Sequence, residues 1–200
     1  MKLIAHRRNT RQELVATPTQ YGVEVDVRSH GKELIIHHDA FTDGESFITW
    51  IKQYRHGTLI LNVKEEGLEE QLISIMASYG ITDYFFLDQS FPFIVKWAKQ
   101  GERRCAIRVS EFESINTALT LQGQVDWIWV DCFTRFPLTH DDAQTLQNAG
   151  FKLCLVSPEL HTRDAEIEIP ALINTLSTHH INVDAVCTKR VDLWERLVCL

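Results

Sequence analysis

Short runs of β-branched and aromatic residues alternate along this chain with amphipathic stretches of about ten to fifteen residues. The runs fall at residues 2–7, 22–29, 33–39, 58–64, 83–88, 104–110, 125–131, 151–157 and 184–189. The intervening segments carry apolar residues at three- and four-residue spacing. The clearest one presents Leu68, Leu72, Ile75, Met76 and Tyr79, opens on Glu65, Glu66, Glu69 and Glu70, and stops at Gly80. Acidic residues suit the positive end of a helix, and glycine suits its left-handed exit. A second runs from Thr139, a candidate N-cap, to Gly150. Alternation of this kind builds βαβ units and a parallel sheet. If the second and third runs form one hairpin-like excursion, βα units remain in the number of a compact (β/α)8 TIM barrel with short loops. An open doubly wound sheet is the alternative, but neither GxGxxG nor GxxxxGK[ST] follows the first strand.

Composition fits a single domain over residues 1–200. Hydrophobic residues make up 44% of the chain, and nine Gly with five Pro leave little room for linkers or disorder. The net charge of -7 disfavours nucleic acid, whose binding rests on neutralising phosphates. Cys105, Cys132, Cys154, Cys187 and Cys199 are scattered, never form CxxC, and read as buried reduced thiols. No apolar run is long enough for a transmembrane span. The opening MKLIAHRRNT turns charged too soon for a signal peptide, so a soluble cytoplasmic protein is expected. No feature sets an oligomeric state.

Barrel enzymes carry their chemistry at the C-terminal ends of strands. Here those ends hold His6-Arg7-Arg8, then Glu24 and Asp26, then His37-His38-Asp39, then Asn62 and Lys64. Glu24 and Asp26 are two residues apart, hence on one strand face, as are Asn62 and Lys64. Paired carboxylates hold a hard divalent cation through oxygen. Arginine and lysine stabilise phosphate charge, and imidazoles move protons near neutral pH. Together these groups suit chemistry on a phosphate ester.

IAHRR at 4–8, GVEVDVR at 22–28 and ELIIHHD at 33–39 resemble the HRG, ExD and HD signatures of the glycerophosphodiester phosphodiesterases. LILNVK at 59–64, FFLDQSF at 85–91 and VDAVCTKRVDLW at 183–194 resemble later segments of that family, in the same order. The resemblance implies a TIM barrel that cleaves a small-molecule phosphodiester. It implies His6 and His38 as the acid/base pair, with alternation allowing only one of His37 and His38 to face inward. It implies Glu24, Asp26 and Asn62 as ligands of Mg²⁺ or Ca²⁺, and Arg7 and Lys64 as phosphate-binding residues. In the family a neighbouring hydroxyl attacks phosphorus, and water then opens a cyclic phosphate.

The sequence also departs from the pattern. Arg8 replaces the glycine of HRG, and the ENT glutamate has no counterpart, Asn9-Thr10 being a displaced remnant. Asn62 replaces a third carboxylate, which lowers the expected metal affinity. The segment between His38 and Lys64 is short, which predicts an open mouth, and CLVSPEL at 154–160 replaces an aromatic segment. Two alternatives follow: a non-catalytic barrel binding phosphate or a metabolite, and a lyase releasing cyclic phosphate from a lysophospholipid. Elsewhere, Trp127, Trp129 and Asp131 share a strand face and are expected to pack against helices, with pocket lining as the alternative. Arg108 suits either an ion pair or an anionic substrate. His140 and His161 are expected to be solvated, and His179-His180 to cap a helix.

Overall fold

The computed structural model describes residues 1–198. Parallel strands β1 (Lys2–Ala5), β2 (Gly22–His30), β5 (Leu59–Val63) and β6 (Tyr84–Leu87) occupy the first half of the chain. In the second half lie β7 (Ala106–Val109), β8 (Trp127–Val130), β9 (Lys152–Val156) and β10 (Ala185–Thr188). Parallel ladders join β1 to β2, β2 to β5 and β5 to β6, and likewise β7 to β8, β8 to β9, β9 to β10 and β10 back to β1. The result is a curled sheet. Between β6 and β7 there is a single bridge, Phe86 to Cys105, rather than a ladder. The second and third sequence runs do form an excursion: β2 turns back into β3 (Glu33–Ile36), which pairs with the two-residue β4 (Glu45–Ser46), both antiparallel. The short β4 lacks the length for a readable alternation.

Helices follow the strands: α1 (Arg11–Ala16), α2 (Phe47–Ile51), α3 (Glu69–Ser78), α4 (Phe91–Lys99), α5 (Ile115–Leu119), α6 (His140–Asn148), α7 (Ala165–Thr178) and α8 (Val191–Val198). Leu72 and Met76 bury the face of α3 that the spacing marked, and Gly80 exits at φ 66°. Thr139 caps α6 in a reciprocal capping box with Asp142.

Strand alternation sorts the core into two layers. Val23, Val25 and Val27 face the helices, together with Leu59, Leu61, Ile128 and Val130. Ile4, Ile60, Phe85, Trp127, Trp129, Cys154 and Cys187 fill the inside of the curl. This corrects the expectation for the two tryptophans. They share parity with buried Asp131 and point inward, and Trp127 stacks on Phe85 at 4.5 Å. Gly22 is also inward, and a Cβ there would lie 2.5 Å from the Thr58 carbonyl oxygen, so β2 and the start of β5 approach too closely for a side chain. Cys105, Cys132, Cys154 and Cys187 are buried and unpaired, and burial pushes the Cys105 and Cys132 thiols up to about 12. Cys199 lies outside the described residues.

The loops after β7 and β8 are tied together by one carboxylate. Glu111 accepts from the backbone N–H of Thr134 and Arg135, both at 2.7 Å, and of Phe133 at 3.2 Å. Burial raises the Glu111 pKa, but these donors outweigh it and hold it down at about 2. A depressed carboxylate stabilises the fold above its unfolded pKa, and that contribution is lost as pH falls through the folded value. Glu111→Gln is therefore expected to lower stability at pH 7 by roughly 1 kcal/mol. Melting curves of variant and wild type should converge between about pH 4.5 and pH 2. A constant offset at every pH would show that the charge is not responsible.

Candidate active site

The site begins with β2. Glu24 and Asp26 both point into the curl and are fully buried. The ladder to β5 sets Asp26 opposite Asn62, and the Asn62 Nδ2 donates to Glu24 Oε1 at 2.9 Å. The next inward position on that side is Lys64, whose Nζ lies 3.2 Å from Asp26 Oδ1 and 3.0 Å from Asp88 Oδ2.

On the other flank, the turn after β1 closes over the same carboxylates. Arg7 takes a left-handed conformation at φ 54°, which costs a non-glycine residue about 1–3 kcal/mol. That turn aims its N–H at Glu24 Oε2, 2.6 Å away, and its Nε at Asp26 Oδ2, 3.3 Å away. The left-handed residue is thus Arg7, not Arg8, so position 8 makes no demand for glycine. Arg8 is half-buried and held by its backbone: its N–H donates to the Glu24 carbonyl, and its own carbonyl accepts from Trp50 Nε1 at 2.9 Å. Asn9 clamps Asp26 in both directions, Nδ2 donating to Oδ2 at 2.7 Å and Oδ1 accepting from the Asp26 N–H at 3.0 Å. Asn9 and Thr10 thus serve the site and the fold together, because Thr10 caps α1.

His6 lies against this cluster, Nε2 3.7 Å from Glu24 Oε2. Burial, reinforced by Arg7, Lys189, Lys64 and Arg8, pushes its pKa down to about 3. Burial, and then the charge of Asp26, raise that of Glu24. The structure thus brings His6, Arg7, Glu24, Asp26, Asn62 and Lys64 together in one contact network. It does not bring His38 into direct contact with them. His38 lines a neighbouring cavity of about 670 Å³ that also takes in Arg7 and Asn9. Its Nδ1 is 2.7 Å from Asp39 Oδ1, and its carbonyl accepts from Arg28 Nη2 at 2.9 Å. His37 lines the same cavity, with its Nδ1 accepting from the Asp39 N–H.

Among the described residues no group of three His, Cys, Asp or Glu side chains is placed to hold a metal ion. The oxygens present nevertheless suit a hard cation. Asn62 Oδ1 is buried without a hydrogen-bond donor, and Asp26 Oδ1 has the Lys64 ion pair as its one partner. An unpartnered amide oxygen next to a buried carboxylate pair fits a weakly held divalent ion.

Charged groups continue around the mouth beyond those read from the sequence. Asp88 joins Lys64 to Arg108, and Arg108 Nε is 3.5 Å from Asp131 Oδ2. Asp131 Oδ1 in turn meets His161 Nε2 at 2.6 Å. Arg108 is thus ion-paired, and His161 is anchored rather than solvated. His140 is likewise engaged, through the His179 carbonyl at 2.9 Å. Asp88 directly follows β6 as Lys64 directly follows β5, so reading every strand end would have found it.

No sequence profile of a known family matches the chain, and no curated protein matches it. Solved structures do. A glycerophosphodiester phosphodiesterase from Agrobacterium tumefaciens superposes over 100% of both chains with a TM-score of 0.65 at 14% identity. A putative glycerophosphodiester phosphodiesterase from Galdieria sulphuraria gives 0.71 at 13% identity, over 100% of this chain and 98% of the other. A glycerophosphoryl diester phosphodiesterase from Parabacteroides distasonis gives 0.67 at 9% identity, over 99% and 86%. The chain has the fold of the glycerophosphodiester phosphodiesterases.

Proposed function

We propose that this protein is a metal-assisted phosphodiesterase acting on a small phosphodiester of glycerophosphodiester type, and that its curled sheet works as a (β/α)8 barrel closed at the Phe86–Cys105 bridge. One observation carries the reading: a fully buried carboxylate pair, an unpartnered amide oxygen, an imidazole and two cations converge on the C-terminal side of β1 and β5, beside β2. That is where this architecture places catalysis. The shared fold supports the same conclusion.

Arg7 and Lys64 flank the carboxylates and would stabilise charge on the phosphate oxygens. Glu24, Asp26 and the Asn62 amide oxygen would hold a Mg²⁺ or Ca²⁺ ion, which supplies Lewis-acid polarisation when bound. A hydroxyl of the substrate adjacent to the ester attacks phosphorus. As its oxygen–phosphorus bond forms, one of His6 and His38 takes its proton. The other gives a proton to the departing alkoxide as the old phosphorus–oxygen bond breaks. Water then opens the cyclic phosphate with the proton roles reversed. Asp39, bonded to His38 Nδ1, fixes the orientation of that ring.

Phosphorus NMR of the protein with glycerophosphocholine, glycerophosphoethanolamine and a lysophospholipid, each with Mg²⁺, Ca²⁺ or EDTA, tests the proposal. A monoester product that needs metal is the expected result. A cyclic product that persists would instead identify a lyase. Tight binding of phosphate esters without turnover in any condition would overturn the reading in favour of a non-catalytic binding barrel. His38→Ala is expected to lose about 10²–10⁴-fold in turnover. Its side chain is 43% exposed, so the melting temperature should barely move. Asn62→Glu restores a third carboxylate and should lower the metal concentration that gives half-maximal activity. An unchanged metal dependence would remove Asn62 from the ligand set.

A further inference from the structure

The junction of β1 with β10 brings one more cation to the mouth. Ala5 stands opposite Thr188, and the His6 N–H donates to the Thr188 carbonyl at 2.8 Å, so the next pair across these strands is His6 and Lys189. Both follow the parity of the inner layer, His6 two residues after Ile4 and Lys189 two residues after Cys187. Lys189 is thereby set beside His6, on the flank away from β2. Its backbone is fixed, since its N–H donates to Glu159 Oε1 at 2.9 Å, while its side chain is exposed. The Glu159 carboxylate is taken up by that N–H and by the hydroxyls of Thr188 and Ser157.

Two cations here lack a counter-ion. Arg7, Lys64 and Arg108 each pair with Asp26, Asp88 or Asp131. Among the described residues no carboxylate lies within ion-pair distance of Arg8 or Lys189, and Arg8 Nε is buried without a partner. Arg8 stands where the family pattern has glycine, so its charge is an addition of this chain. His6, two residues before Arg8 and opposite Lys189, turns Nε2 toward Glu24 and leaves Nδ1 buried and unpartnered on the other side of the ring. Burial and Arg7 lead the causes of its low pKa, Lys189 comes next, ahead of Lys64, and Arg8 adds to them.

A simple phosphodiester carries one negative charge, which Arg7, Lys64 and the proposed divalent ion already face. Further unpaired positive charge at the same mouth raises the local concentration of anions. We propose that Arg8 and Lys189 form a second anion subsite, so that the preferred phosphodiester carries a further anionic group, a carboxylate or a phosphate, on one arm. The proposal rests on the phosphodiesterase reading for the identity of the ligand.

Calorimetric titration at low salt with Mg²⁺ tests it, using four ethyl phosphodiesters whose second arm is butyl, 3-carboxypropyl, 3-phosphonopropyl or 3-ammoniopropyl. All four lack the neighbouring hydroxyl and remain intact. One exposed charge pair is worth up to roughly a fivefold ratio, so the carboxypropyl arm should bind about fivefold tighter than butyl, and the ammoniopropyl arm more weakly than butyl. A phosphonate arm that binds tighter still would identify a phosphate as the group, and one that binds less tightly than the carboxylate would identify a carboxylate. Lys189→Met keeps the stem at an exposed position and should abolish the preference for anionic arms. Arg8→Met leaves the backbone bonds of that turn in place and should reduce it. Equal affinity for butyl and both anionic arms in the wild type would overturn the proposal, as would an undiminished preference in Lys189→Met. If no phosphodiester is turned over under any condition while the preference persists, the phosphodiesterase reading fails and the anion subsite stands.

Discussion

Two carboxylates sit side by side, fully buried, on the inner face of β2, and the mouth of the sheet is arranged around that fact. An ionised carboxylate removed from water without partners is prohibitively costly, and two of them repel. Each neighbouring element contributes part of the compensation. The β1 turn supplies the Arg7 N–H and guanidinium, the loop behind it supplies Asn9, and β5 supplies Asn62 and Lys64. The left-handed backbone of Arg7 serves this need, since that turn delivers its N–H to Glu24 and brings its guanidinium within ion-pair distance of Asp26. The backbone hydrogen bonds of Arg8, one to β2 and one from Trp50, fasten the same turn to its surroundings. Lys64 is the one partner of Asp26 Oδ1, and Asn62 Oδ1 is left without a donor.

Much of this arrangement was legible because strand parity is a local property. Valines at 23, 25 and 27 mark the helix-facing side of β2, and that alone turns Glu24 and Asp26 inward. The same rule carries Asn62 and Lys64 on β5. Thr139 as an N-cap and Gly80 as a helix exit were equally readable, since both depend on residues within a few positions. What stayed hidden depends on partners distant in sequence. Parity shows that Trp127, Trp129 and Asp131 share a face, but the inside of the curl is settled only by Phe85 and the other strands. The contact of His161 with Asp131 spans two strands, and the ladder lost at the β6–β7 seam leaves no mark in either strand's own pattern.

The two halves of the mouth differ in physical character. The side built from β1, β2 and β5 is a dense charge network around buried carboxylates. The side between β6 and β7 holds a cavity of mixed lining, with Asp88, Arg108 and Glu113 beside Leu87, Ile94 and Ile107, and aromatic rings at its rim. Asp88 links them by pairing with Lys64 on one side and Arg108 on the other.

The account turns on the buried carboxylate pair being a cation site rather than a purely structural ion-pair network. Calorimetric titration of Ca²⁺ into the wild type and into Asp26→Asn decides this most directly. The account predicts one saturable site per chain in the wild type, weak but measurable, and its loss in the variant. No binding to the wild type, or identical titrations of the two proteins, would contradict it.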